Sequence, residues 1–168
     1  MKETLETDRL ILRMWREDDL EPYAEMCGDV DVMRYLASKP MTRSEAWRNM
    51  AMMIGHWHLR GYGMWAVEER ASGELLGRVG CWCPEQWPGF EVGWMLRSKF
   101  WGRGFATEAA RASLNYAFHE LDQAHIISVI HPQNAASIRV AERLGEKLEG
   151  NTEIAGIPVL IYGVDRKE

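Results

Sequence analysis

The sequence has little of what would tie it to a membrane, an oxidising compartment or a nucleic acid. It contains no apolar run long enough to span a bilayer, which takes roughly eighteen residues. It shows no signal-peptide pattern, since Met1-Lys2-Glu3-Thr4 leads straight into charged sequence, so a cytoplasmic protein is expected. Cysteine is scarce, with three in 168 residues. Cys81 and Cys83 lie two apart on a predicted strand and share a face. A bonded pair is not expected in a reducing compartment, and CxC without a partner pair is a poor zinc pattern, so both read as small buried hydrophobes. His56 and His58, two apart on a predicted helix, face different ways, and no metal site is expected. Positive charge is also short: 20 Lys and Arg stand against 25 Asp and Glu, a net charge of −5. That excludes general attraction to nucleic acid or an anionic membrane and favours cationic amines as partners. No linker, repeat or low-complexity stretch interrupts the chain, so one domain over residues 1–168 is expected.

What is present is a globular composition, 46% hydrophobic and 27% charged. Eight tryptophans and ten methionines supply a core and suit an apolar pocket. The alternation of Leu10, Leu12 and Met14 predicts a first strand over Thr7–Met14. A helix is predicted from Asp18, with Leu20, Tyr23, Ala24 and Cys27 on one face, and a short helical piece from Asp29. Thr42-Arg43-Ser44-Glu45 is a capping box that opens a helix running to about Arg60. Strands are predicted over Tyr62–Glu69 and Glu74–Cys83, joined by a turn at Ala71–Glu74, then over the stretch from Glu91 and over His125–Ile130. A helix over Ala135–Leu144 ends at Gly145, and two strands follow around Ala155-Gly156-Ile157. The result is a mixed α+β domain.

The most informative stretch is EVGWMLRSKFWGRGFATEAAR, Glu91 to Arg111. Val92, Trp94 and Leu96 alternate as in a strand. Trp101-Gly102-Arg103-Gly104-Phe105-Ala106-Thr107 is a small-residue turn, and an amphipathic helix with Ala110, Leu114, Ala117, Phe118 and Leu121 on its apolar stripe follows. A helix N-terminus behind such a turn favours an anion, because its first N–H groups lack partners and the macrodipole adds positive potential. Arg97, Lys99, Arg103 and Arg111 make the stretch basic against an acidic background. A bare GxG would be only a tight turn; strand, turn, bases and helix together read as a phosphate site. It is not a Walker loop, because no GK[ST] follows, and it is not a dinucleotide fingerprint, because Thr107 stands at the third glycine.

Trp101-Gly102-Arg103-Gly104-Phe105-Ala106 resembles motif A, [QR]-x-x-G-x-[GA], of the GNAT superfamily of acyl-CoA-dependent N-acetyltransferases, with Trp101 replacing the first Gln or Arg. WGRGFATEA is similar to the branch of ribosomal-protein N-terminal acetyltransferases of the RimJ/RimL type. After one further strand, the stretch His131 to Gly145 resembles motif B, N-x-x-[AS]-x-x-[VL]-x-[EK]-[KR]-x-G-F. Taken alone, Asn134 there is an ordinary N-cap and Ser137 a first-turn residue. Two positions depart from the family: Ala141 stands where many members have a tyrosine, and Glu146 replaces the usual phenylalanine.

The resemblance implies a mainly antiparallel mixed sheet flanked by helices, with a splayed strand pair holding acetyl-CoA as cosubstrate. It implies direct acetyl transfer to a primary amine, either a protein N-terminus or a small molecule, by a monomer or a homodimer. Backbone N–H groups of Gly102, Arg103, Gly104, Phe105, Ala106 and Thr107 would take the diphosphate. Met95, Leu96 and Arg97 would offer a strand edge to the pantetheine arm, with an N–H near Met95 for the carbonyl oxygen. Asn134 would also contact the pantetheine arm. Ser137 would lie near the thioester sulfur and substitute for the missing tyrosine. Glu91 is the candidate base, against a plain reading as an arginine-paired glutamate; His131 is a weaker candidate. A non-catalytic acyl-CoA sensor and a nucleotide-binding module are the competing readings.

Overall fold

The computed structural model describes residues 2–37 and 39–167. Met1 and Glu168, the ends of the expected 1–168 unit, and Ser38 lie outside the described residues. Among the described residues eight strands form one sheet in the order β1-β2-β3-β4-β5-β6-β8-β7. They are β1 (Thr4–Glu6), β2 (Leu10–Arg13), β3 (Met64–Glu69), β4 (Leu75–Trp82), β5 (Glu91–Leu96), β6 (His125–Ile130), β7 (Lys147–Ile154) and β8 (Ile157–Asp165). Five α-helices among the described residues, α1 (Leu20–Gly28), α2 (Val30–Met33), α3 (Arg43–Arg60), α4 (Phe105–His119) and α5 (Ala135–Leu144), flank it. The mixed, mainly antiparallel α+β architecture expected from the sequence is the one found.

The first predicted strand, Thr7–Met14, is shorter in the structure, as β2, and the unpredicted β1 precedes it. Thr7 turns the chain: its hydroxyl oxygen accepts the Leu10 N–H at 3.0 Å and its own N–H donates to the Leu10 carbonyl. β1 and β2 therefore pair as a hairpin with Leu5 opposite Leu12. A three-residue strand is too short to show a period, so the sequence pattern did not reveal β1. The capping box forms as predicted, with Thr42 accepting the Glu45 N–H and Glu45 accepting the Thr42 N–H. Gly61 ends α3 in the left-handed region at φ 78°.

Alternation along β3, β4 and β5 splits the core in two. Trp65, Val67, Val79, Cys81 and Val92 pack against α4 through Phe105, Ala109, Ala110 and Leu114. On the other face Met64, Ala66 and Met95 meet Tyr23 and Cys27 of α1 and Met50 and Met53 of α3. Cys81 is buried as expected, while Cys83 is half-buried beyond the end of β4. His56 is a packing histidine: it stacks on Trp82, its Nδ1 donates to the Tyr62 carbonyl, and its Nε2 accepts the Cys83 N–H. Burial lowers its pKa, which agrees with a neutral ring holding that tautomer. Among the described residues no helix is long and apolar enough to cross a membrane.

The one parallel contact decides where a ligand can enter. β5 and β6 pair only at Glu91 and Ile127. The Ile127 N–H reaches the Phe90 carbonyl at 2.9 Å. At the next rung the Val129 N–H would meet the Val92 carbonyl. Instead Val129 donates to the Glu91 carboxylate at 3.4 Å, and the Ser128 hydroxyl donates to the Val92 carbonyl at 2.8 Å. Two side chains take over the backbone bonds, and beyond them the strands part.

Candidate active site

The parting of β5 from β6 exposes main-chain groups in a definite order. The Arg97 N–H bonds the Leu76 carbonyl of β4, and the pairing of Arg78 with Met95 and Gly80 with Gly93 continues that register. In an antiparallel ladder alternate residues face the same neighbour. The amides of Glu91, Gly93 and Met95 therefore point to β4, and those of Val92, Trp94 and Leu96 point toward the opening. The N–H expected near Met95 thus belongs to a neighbour: Met95 is spent on β4, while Trp94 and Leu96 face the gap. The Leu96 carbonyl accepts the indole N–H of Trp101 at 2.9 Å. Trp101 thereby folds back over the end of β5 while half of it remains in solvent.

Behind the opening the glycine turn runs into α4. Gly102 and Gly104 both sit in the left-handed region, at φ 72° and 80°, where side-chain-bearing residues are strained. The first helical bond of α4 runs from the Glu108 N–H to the Gly104 carbonyl, and no side chain caps the helix. Phe105, Ala106 and Thr107 thus present free N–H groups. Glu108, the acid that would otherwise shield them, is held elsewhere by the Thr7 hydroxyl at 2.6 Å and by Arg9 at 2.7 Å. The expected basic cluster is already engaged: Arg97 bonds Glu25, Lys99 bonds Glu74, Arg103 bonds Glu69, and Arg111 donates to the Arg143 carbonyl. Those of Lys99, Arg103 and Arg111 are exposed contacts of small energy. The Phe105 ring is core, beneath the guanidinium of Arg103, so only its main chain faces the turn.

Between the sheet, α3 and the β7–β8 hairpin lies a cavity of about 440 Å³. Glu91, Trp94, Ser128, His131, Asn134 and Ser137 all line it. Glu91 is 7% exposed. Its Oε2 accepts the indole N–H of Trp87 at 2.6 Å and its Oε1 accepts the Val129 N–H. Burial raises its pKa to about 7, against the opposing pull of these two bonds and of the Arg78 charge. No arginine pairs with it directly, so the plain reading of Glu91 as an ion-paired glutamate does not hold.

Glu146 adds a second buried carboxyl. It is 3% exposed, and burial together with the Glu91 and Glu149 charges moves its pKa up to about 8. Its Oε1 lies 3.0 Å from the Ser128 oxygen. Because the single Ser128 proton goes to the Val92 carbonyl, a protonated Glu146 completes the chain by donating to Ser128. Its Oε2 has no partner.

Motifs A and B meet at Trp94 and Ser137. The Trp94 indole N–H donates to the Ser137 oxygen at 3.2 Å, which leaves the Ser137 proton free for another acceptor. Asn134 caps α5 through its side-chain oxygen, which accepts the Ser137 N–H at 3.1 Å, and its amide NH₂ remains available. Ala141 is fully buried with no hydroxyl. His131 stacks beside Tyr35 and accepts the Gln133 N–H. Among the described residues no group of three or more His, Cys, Asp or Glu is placed to hold a metal.

Of the residues expected at the site, the structure brings Glu91, His131, Asn134 and Ser137 to one cavity, while Met95–Arg97 and Gly102–Thr107 are not among its lining residues. The sequence reading missed Trp87, Ser128, Glu146 and Arg78. Only Glu146 carried a signal, as a charged residue where an apolar one is usual.

Comparison with known proteins gives the family. Residues 9–147 match the acetyltransferase (GNAT) domain model. The chain is 34% identical to the uncharacterized protein YkkB of Bacillus subtilis, over 96% of this chain and 95% of that one. It is 31% identical to the uncharacterized N-acetyltransferase p20 of Bacillus licheniformis, over 88% and 84%. The crystal structure of an acetyltransferase from Agrobacterium tumefaciens superposes with a TM-score of 0.89 at 29% identity, covering 99% and 96% of the two chains. The chain belongs to the GNAT acetyltransferase family, and it is an N-acetyltransferase.

Proposed function

We propose that this chain, acting as one catalytic unit, transfers the acetyl group of acetyl-CoA directly to a primary amine. The observation that carries the reading is the buried, unpaired Glu91 at the point where β5 and β6 part. The opening fits the cosubstrate: free N–H groups of the first α4 turn suit a diphosphate, and the unpaired edge of β5 suits the amides of a pantetheine arm. Acetyl-CoA supplies the activated acetyl group as a thioester. Each remaining requirement falls to a residue of the chain.

Glu91, with a pKa near 7, accepts a proton from the incoming ammonium at neutral pH. The N–H groups of Trp94 and Leu96 face the opening and serve as donors to the carbonyl oxygen on which negative charge gathers. Ser137, its oxygen already hydrogen-bonded by Trp94, offers its proton to the departing thiolate, and the N-terminus of α5 adds positive potential. Asn134 offers its NH₂ to the pantetheine arm.

Thiol release, followed in the presence of acetyl-CoA and a panel of peptides and small amines, tests the reading. Release that depends on an amine supports it. Coenzyme A binding without release for any amine would favour an acyl-CoA sensor instead.

A further inference from the structure

The cavity beside Glu91 has a second charged wall. Among the described residues lining it, Glu91 and Arg78 are the only Lys, Arg, Asp or Glu side chains. Arg78 lies on β4 opposite Met95, and Trp82 on the same strand lies opposite Glu91. Alternation puts Arg78, Trp82, Met95 and Glu91 on one face. The Cα atoms of Arg78 and Glu91 therefore stand at opposite ends of that face, about 14 Å apart along the strand by four residues of rise, while the side chains reach inward far enough for the Arg78 charge to act on Glu91.

The floor between them is the facing pair Gly80 and Gly93. A Cβ on Gly93 would sit 3.2 Å from Glu91 Oε1 and 3.0 Å from the Met64 methyl, so glycine keeps the passage to the carboxylate open.

Arg78 differs from the other buried or half-buried arginines. Arg13 is clamped by Asp19 and Glu68, and Arg97 by Glu25. No carboxylate of the described residues pairs with Arg78, and its Nε is buried without a hydrogen-bond partner. Its neighbours are the Tyr23 hydroxyl, which donates to Asn49, and the Cys27 thiol. Burial pushes both of these groups up, so both are neutral at pH 7. A half-buried cation whose Nε is out of solvent and without a partner carries an unsatisfied donor, and a guanidinium fork matches a carboxylate or phosphonate in two parallel bonds.

We propose that Arg78 is the anion receptor of the acceptor cavity, and that the amine this enzyme acetylates carries a carboxylate or similar oxyanion on an apolar body. The proposal rests on the reading of Glu91 as the base. The amine then lies toward Glu91 and the oxyanion toward Arg78, with Met52, Met53, Trp82 and Trp94 walling the apolar part. A protein N-terminus places a neutral peptide group where the anion belongs, so the proposal selects small amino acids and their analogues.

Matched sets decide it: leucine, phenylalanine and longer-spaced amino acids, each against its carboxamide and its aminophosphonate. The expected result is at least a tenfold higher kcat/KM for acid or phosphonate over carboxamide; the arm that wins identifies the oxyanion. In Arg78→Gln that ratio falls toward one, and Arg78→Lys restores part of it. A ratio near one in the wild-type enzyme, or an unchanged ratio in a folded Arg78→Gln, overturns the proposal. If Arg78→Gln does not fold, the wild-type ratio decides alone. If no amine is acetylated, the transfer reading fails, and calorimetric titration of the same sets into CoA-loaded protein still judges Arg78. Acid binding at least tenfold tighter than carboxamide binding sustains the proposal, and anything less refutes it.

Discussion

Replacing Glu91 by glutamine removes the base and keeps the size. The magnitude follows from how much of an amine is already neutral. At pH 7 an α-amine of pKa near 8 is about 10% neutral, so recruiting its ammonium form gains at most about tenfold. A lysine-like amine of pKa about 10.4 is roughly 0.04% neutral, and the gain rises to about 10³-fold. Glu91→Gln is therefore expected to lower kcat/KM at pH 7 by up to about tenfold for α-amines and by about 10²–10³-fold for lysine-like amines. The sign follows from the pKa. The carboxylate is the active form, so wild-type kcat/KM rises with pH through an inflection near 7, the raised value of Glu91. In the variant that inflection disappears, only the rise from the amine itself remains, and the gap closes toward pH 9. One structural effect has to be separated. Trp87 and Val129 both donate to Glu91, and a glutamine offers one oxygen to two donors, which costs about 1 kcal/mol. A melting curve reads that loss, and CoA affinity is expected to stay nearly intact. A Glu91→Gln enzyme whose pH profile runs parallel to wild type would refute the assignment and leave water as the base.

Three further outcomes are expected. Gly104→Val puts a β-branched residue at φ 80°, where its Cβ also meets Arg9 Nη2 at 3.4 Å. CoA affinity in the folded variant is expected to fall tenfold or more, about 1.4 kcal/mol, by calorimetry. Ser137→Ala is expected to lower turnover about tenfold to a hundredfold, roughly 1.4–2.7 kcal/mol of barrier, with CoA affinity little changed; wild-type turnover would reduce Ser137 to a first-turn residue. Glu146→Gln tests the second carboxyl through stability. Its folded pKa of about 8 lies above the ordinary 4.5, so the native fold loses stability as pH rises between those values, by linkage. The glutamine variant is expected to melt close to wild type below pH 5 and several degrees higher at pH 9, at about 2–4 °C per kcal/mol. A constant difference across that range would show that Glu146 is not buried as the neutral acid.

What the sequence determined by itself was local. A capping box, a glycine in the left-handed region and an amphipathic stripe act over a few residues, so Thr42–Glu45, Gly61, the turn at Gly102–Gly104 and helix α5 were legible without the fold. The two motifs were legible for the same reason: each holds main-chain groups in place through its immediate neighbours. Tertiary structure decided the rest, because the contacts that set charge and access join distant segments. Ser128 bridges Val92, 36 residues away, and Glu146. Trp94 reaches Ser137 across 43 residues. Thr7 and Arg9 hold Glu108 off the free amides of α4 from about a hundred residues away. Whether Glu91 is an ion-paired surface acid or a base near neutrality depends on desolvation, which is a property of what packs around a residue. The same holds for Arg78: one arginine among many in the sequence becomes distinct only when no carboxylate of the described chain turns out to form an ion pair with it.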